Sequence, residues 1–313
     1  MPTTYIPTIV NDNAHSDGIW DVAWSKNTNY VATGSSDATV KLWDGSSGEL
    51  KHELTGHALG VISVDASSDG KQDQLRDDHV GLASTSIDST IKIWDLENNG
   101  ALIRTVTASA AQAWTARFSP DGQYLAAGSH DGSICLYDVA SGEKAQSLPT
   151  KDKFLMCTAY SPDGKYLAGG AEDGSIYVFD IETNQLAHTL TAHAMAVRTL
   201  SFAADSRTLI SGCDDKYVHV YDVSHGQIAS ALAGHNGWVL KVAANPDISK
   251  QQVASASSDK KIKVWDLGMR SVLETQEVHT DQVWGLAWNP EGTKFVSVSD
   301  DMSIKWFASS GSS

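Results

Sequence analysis

The sequence predicts an all-β fold, a closed ring of seven four-stranded sheets. Three observations predict it. An aromatic residue at the end of an alternating apolar run recurs at positions 43, 94, 137, 179, 221, 265 and 307, with spacings of 51, 43, 42, 42, 44 and 42 residues. Self-similarity at such a period marks one supersecondary unit repeated in an array. His15, His57, His193, His235 and His279 precede five of those aromatics by 28, 37, 28, 30 and 28 residues, so a second landmark keeps the same register. Each unit also carries short alternating runs parted by tight-turn signals, such as Ser119-Pro-Asp-Gly122 and Ser161-Pro-Asp-Gly164. These read as strands, and no stretch sustains a helical period.

The pattern from Gly-His to Trp-Asp, clearest at Trp43-Asp44, Trp94-Asp95 and Trp265-Asp266, resembles that of the WD-repeat family and spans essentially the whole chain. The resemblance implies a seven-bladed β-propeller with one sheet per blade, and hence a single domain over residues 1–313. Taken in order, Tyr5-Ile-Pro-Thr-Ile-Val10 holds the place before His15 that Leu50–Leu54 holds before His57. The last unit stops one strand short. The N-terminal segment is therefore expected to complete it, since an open ring would leave an unpaired edge.

An Asp six residues before the aromatic recurs in every unit: Asp37, Asp88, Asp131, Asp173, Asp215, Asp259 and Asp301. Such an Asp can fix a turn by accepting backbone N–H bonds. The resemblance implies that it bridges the blade His, a Ser/Thr and a Trp. Blade 1 then offers His15, Thr33, Asp37 and Trp43, and blade 2 His57, Ser84, Asp88 and Trp94, with a polar insertion near 68–79. Blades 3 and 4 lack both partners, with Ser109 and Ala127, then Lys151 and Gly169, in their places. Blade 5 has His193 and Ser211, blade 6 the full set His235, Ser255, Asp259 and Trp265, and blade 7 His279 and Ser297. The paired losses fit a shared network, because a half-satisfied buried network costs more than none. These polar residues read as structural, including Ser129-His130-Asp131, which only looks like a triad. Ser309–Ser313 reads as a disordered tail.

Composition excludes other classes. The chain of 313 residues is 41% hydrophobic and 19% charged, with no long apolar run. That argues against a membrane-spanning helix and against wholesale disorder. A net charge of −15 repels nucleic acid, which needs a basic footprint. Cys135, Cys157 and Cys213 show neither a disulfide framework nor metal-ligand spacing. No secretory signal opens the sequence. No Walker loop, Gly-x-Ser-x-Gly or His-Glu-x-x-His motif occurs. A non-catalytic protein with no metal and no cofactor, of the cytoplasm and also the nucleus, is expected.

The residues that the repeat does not need carry the functional signal. Of ten tryptophans, Trp20, Trp114 and Trp284 fall five residues after the His or its equivalent, where blades 4 and 5 hold Met156 and Arg198. Trp238 lies at the third position after the His, and Phe154 matches it in blade 4. These residue types concentrate at binding hot spots. A top-face patch for a short apolar peptide is expected, with Glu172 as a polar rim group.

Several stretches resemble more than the generic repeat: His57-Ala-Leu-Gly-Val-Ile-Ser-Val-Asp65, Ala113-Trp-Thr115, Leu190–Arg198, Gly234-His-Asn-Gly-Trp-Val-Leu240 and His279-Thr-Asp-Gln-Val-Trp284. Together they resemble the WD-repeat subunits of superkiller complexes. That resemblance implies a scaffold that binds a tetratricopeptide-repeat subunit and, through it, a DExH RNA helicase, in exosome-dependent 3′–5′ mRNA decay. It also implies roles in meiotic recombination initiation or transcription elongation, and recognition of short segments bearing Gln or Arg and an aromatic. The ring itself is read as monomeric, in one or more copies per complex, without direct nucleic-acid or membrane contact. Three readings compete: a ubiquitin-ligase substrate receptor, a histone-tail reader using Phe154 and Glu172 as part of an aromatic cage, and a propeller hydrolase.

Overall fold

Seven antiparallel four-stranded sheets form the protein in a computed structural model that describes residues 4–67, 81–107, 114–151 and 153–310. In blade 1 the strands run Ile19–Trp24, Tyr30–Ser35, Val40–Asp44 and Leu50–Leu54, in that order from the channel outward. Blades 2 to 6 repeat this order. The second and third strands of each blade are largely buried on both faces, whereas the outermost strands are mostly exposed, as in Leu50–Leu54. The apolar clusters lie between neighbouring blades. One joins Ile91, Ile93 and Val106 of blade 2 to Phe118, Leu125 and Tyr137 of blade 3. Each sheet thus hides its apolar face only against the next, which is why the ring must close.

The N-terminal strand closes it. Tyr5–Asn11 pairs antiparallel with Ile304–Ser309, with Tyr5 opposite Ser309 and Asn11 opposite Ile304. It takes the outer place in blade 7, as expected from sequence. Tyr5 is fully buried against Trp288 and Phe295, with ring centroids 5.3 and 5.4 Å away. Its hydroxyl donates to Gln252 at 2.8 Å and its N–H to Glu274 at 2.7 Å, so one residue seals blade 6 to blade 7. Burial pushes the phenol up to about 12.

The tail differs from expectation. Ser309 ends the last strand, and the Ser310 N–H donates to Thr4 O at 2.7 Å. Pairing with the N-terminal strand orders both residues. Residues 311–313, the insertion near 68–79 and Ser109 lie outside the described residues.

The tetrads form, but with a different centre. His15 Nδ1 meets Asp37 at 2.9 Å and Nε2 meets Thr33 at 2.7 Å, while Trp43 Nε1 donates to Thr33 at 2.9 Å. Blade 2 repeats this through His57 with Asp88 and Ser84 at 3.1 and 2.8 Å, and Trp94 donates to Ser84 at 2.8 Å. Blade 6 does so through His235 with Asp259 and Ser255 at 3.0 and 2.7 Å, and Trp265 donates to Ser255 at 2.7 Å. The histidine, not the Asp, is therefore the bridge. The donors run one way: indole N–H to hydroxyl, hydroxyl to Nε2, Nδ1–H to carboxylate. A neutral imidazole protonated at Nδ1 satisfies every step.

The residue after each of the seven Asp adopts a left-handed φ, from Met302 at 63° to Gly174 at 88°. Blades 3 and 4, which lack the His, place Gly132 and Gly174 there, whereas the other five hold non-glycine residues. A left-handed backbone costs a residue with a Cβ about 1–2 kcal/mol. The His–Asp bond offsets that cost where it exists, and glycine avoids it where the bond is missing.

Candidate functional site

The innermost strands build the site. In six blades the pairing of first and second strands slips by one residue near the top, as between Ile19 and Asp21 or Val283 and Gly285. The skipped residues are Trp20, Ile62, Met156, Arg198, Leu240 and Trp284. A bulge leaves one residue unpaired and re-aims its side chain. This is the fifth position after the His, and here every bulged side chain turns into the channel mouth. Trp114 enters at the same position from blade 3, immediately before its strand Thr115–Phe118. All seven line one cavity of about 340 Å3 on the ring axis.

Of the eight residues predicted for binding, Trp20, Trp114, Met156, Arg198 and Trp284 line this cavity. The other three stand outside it. Phe154 stacks on His130 with centroids 4.2 Å apart and meets Trp114 edge-on at 5.7 Å. It buttresses Trp114 from behind, so Trp114, Phe154 and Met156 do not form one open pocket. Met156 is itself nearly buried. Glu172 is exposed beside Phe154, and its N–H donates to Phe154 O at 3.0 Å. Trp238 is exposed on the top face, with the Arg198 guanidinium 5.6 Å from its ring centroid. Arg198 is fixed by a two-pronged contact with Asp214, Nε to Oδ1 at 2.9 Å and a second nitrogen to Oδ2 at 2.8 Å. Its planar fork is thereby held at the rim.

Sequence reasoning missed the floor of the cavity. Asp21 receives Lys241 Nζ at 2.6 Å and an Arg117 nitrogen at 3.3 Å. Arg117 also donates to Ser63 Oγ at 2.7 Å and to Val64 O at 3.1 Å. Burial opposes the charge on Asp21, but Lys241 and Arg117 outweigh it and hold the carboxyl below the ordinary range. Lys241 goes the other way: burial, helped by Arg117, lowers its ammonium. At the rim, Asp300 lies beside the Trp20 and Trp284 rings, and burial raises its carboxyl.

Comparison with known families matches the WD domain, G-beta repeat, at residues 7–44, 48–95, 100–138, 142–180, 184–222, 226–266 and 270–307. The chain belongs to the WD-repeat family. It is 38% identical over 162 residues, half of each chain, to WD repeat-containing protein SL1-17 of Schistosoma mansoni. It is 37% identical over 135 residues to WD repeat-containing protein VIP3 of Arabidopsis thaliana, 42% of this chain and 39% of that one. It is 33% identical over 143 residues to the nuclear distribution protein nudF of Aspergillus flavus, 45% of this chain and 30% of that one. The matched stretches span half or less of these relatives' lengths.

WD-repeat register also accounts for one cluster of metal-ligating types, His193, Cys213 and Asp215. Cys213 stands where blades 1, 2, 6 and 7 hold Ser35, Ser86, Ser257 and Ser299. His193 Nδ1 already meets Asp215 at 2.7 Å, and the Cys213 thiol donates to Met195 O at 3.1 Å. Burial pushes that thiol up to about 12, which keeps it protonated at neutral pH. No helix among the described residues is long and apolar enough to cross a membrane.

Proposed function

We propose that this WD-repeat protein is a non-catalytic scaffold that holds a short segment of a protein partner at the channel mouth. The observation that carries the reading is the convergence of Trp20, Trp114 and Trp284, each half-buried, on one cavity with Met156 in its wall. Rigid aromatic side chains supply large contact area at low entropic cost. The bulges offer a reason for their placement that the β-fold alone does not require.

The partner is a tetratricopeptide-repeat subunit that links the ring to a DExH RNA helicase in exosome-dependent 3′–5′ mRNA decay. The support is the resemblance of the stretches around His57, Trp114, Arg198, Trp238 and Trp284 to superkiller WD-repeat subunits. The same resemblance supports a cytoplasmic site of action and a nuclear one, in meiotic recombination initiation or transcription elongation. Affinity purification of the tagged chain with mass spectrometry tests the assignment. Recovery of a tetratricopeptide protein with a helicase supports it. Recovery of histones or a ubiquitin-ligase adaptor instead overturns it.

A further inference from the structure

Arg198 is the one charged side chain among the bulged residues of the mouth, beside Trp20, Ile62, Met156, Leu240 and Trp284. A guanidinium carries five N–H donors in a fixed plane. The Nε–H of Arg198 lies across the Asp214 carboxylate, 2.9 Å from Oδ1 and 3.1 Å from Oδ2, and Nη2 donates to Oδ2 at 2.8 Å. Both N–H bonds of Nη1 and the second of Nη2 meet no acceptor among the described residues. The Trp238 ring lies 5.6 Å from the guanidinium, so stacking and the carboxylate fork together fix its plane. Arg198 lines the cavity, whereas Asp214 does not and is only 6% exposed. The unused donors therefore reach the mouth while the counter-charge stays out of it.

The pairing with Asp214 narrows the ligand. A carboxylate at the free edge of Arg198 would place a second negative charge against one cation that is already balanced, in a partly desolvated site. An ammonium would face the guanidinium with like charge. A neutral carbonyl oxygen takes charge-assisted hydrogen bonds and leaves the balance of the pair unchanged. We propose that Arg198, held by Asp214, is a specificity-determining residue that receives a neutral carbonyl oxygen of the docked segment, from a side-chain carboxamide or from the main chain, and that Asp214 turns the site against a carboxylate. This rests on the reading that the channel mouth is the docking site.

Three short probes test it by NMR titration of the full chain: Ac-Phe-Gln-Ala-amide and its Glu and Ala counterparts. The Glu probe should bind no more tightly than the Gln probe, and the guanidinium nitrogen signals of Arg198 should shift as the Gln probe binds. A Gln probe tighter than the Ala probe identifies the carboxamide as the source of the carbonyl; equal Gln and Ala probes identify the main chain. Arg198→Met should weaken the Gln probe about tenfold. Asp214→Asn, which leaves the guanidinium uncompensated, should move the ratio of Glu to Gln affinity toward the acid by about fivefold or more. Thermal melts confirm that both variants are folded, and the Arg198 signals of the parent decide the matter if either is not. A Glu probe tighter than the Gln probe in the parent, unmoved Arg198 signals, unchanged Gln binding in Arg198→Met, an unmoved ratio in Asp214→Asn, or no binding of any probe overturns the proposal. If Trp114→Ala weakens the probes and Arg198→Met does not, the docking reading stands without the carbonyl contact. If Arg198→Met weakens them and Trp114→Ala does not, docking on the tryptophans fails on its own.

Discussion

Asp259 accepts from His235 Nδ1 at 3.0 Å, Asn236 N at 2.8 Å and Lys261 N at 3.0 Å. Asp131, its counterpart in blade 3, accepts from Ser133, at 3.1 Å from the backbone and 2.6 Å from the hydroxyl, and has no blade histidine. Asp259→Ala should lose about 1–3 kcal/mol, because it orphans buried donors. Asp131→Ala should lose less, and urea unfolding compares the two. Equal losses would mean that the turn matters and the His relay does not. A second residue-scale prediction concerns pH. His219 is buried and stacked on His193, with centroids 3.9 Å apart. Burial, with His193 beside it, holds its imidazole down at about 4 against an ordinary 6.5. Below the ordinary value the unfolded chain takes up a proton that the folded chain refuses. Stability from this residue is therefore full above about pH 6.5 and falls as pH drops toward 4. The tetrad carboxylates, such as Asp88 at about 2, follow with a separate loss below about pH 4. His57 and His193 are lowered by burial too and add to the same window, so His219→Phe, which keeps the stacked ring, should reduce the first phase of acid destabilisation and leave the second unchanged. A melting temperature that falls between pH 6.5 and 5 as much in the variant as in the parent would contradict this.

The decisive elements are the innermost strands and the N-terminal strand. The repeat period made both legible: it counted seven blades, showed blade 7 one strand short and singled out the fifth position after each His. It could not show why that position faces the channel, because a bulge is a property of strand pairing. Nor could it separate Phe154 and Trp238 from the cavity, since His130 and Arg198 reach those rings across the top face. The floor was illegible for a topological reason. Asp21 and Lys241 stand 220 positions apart and meet only because the ring returns on itself. Removal of residues 1–12 should expose the edge of Ile304–Ser309 and the Tyr5 site between blades 6 and 7, and lower the melting temperature by several degrees. Unchanged melting would count against closure by this strand.

Across the whole molecule, a net charge of −15 accompanies a channel whose floor pairs Lys241 and Arg117 with Asp21 and whose mouth is aromatic. The ring supplies rigidity, since every blade is held by apolar contact with its neighbours and by the seam at Tyr5. Rigid presentation lets the six bulged positions and Trp114 act as one pocket wall. The most direct test of that claim is calorimetry of Trp114→Ala against the tetratricopeptide subunit, with circular dichroism to confirm the fold. Truncating a tryptophan anchor should remove about 2–4 kcal/mol, a loss of roughly 30- to 1,000-fold in affinity. Binding within about twofold of the parent, by a folded variant, would contradict it and move the docking site to the blade sides or the opposite face.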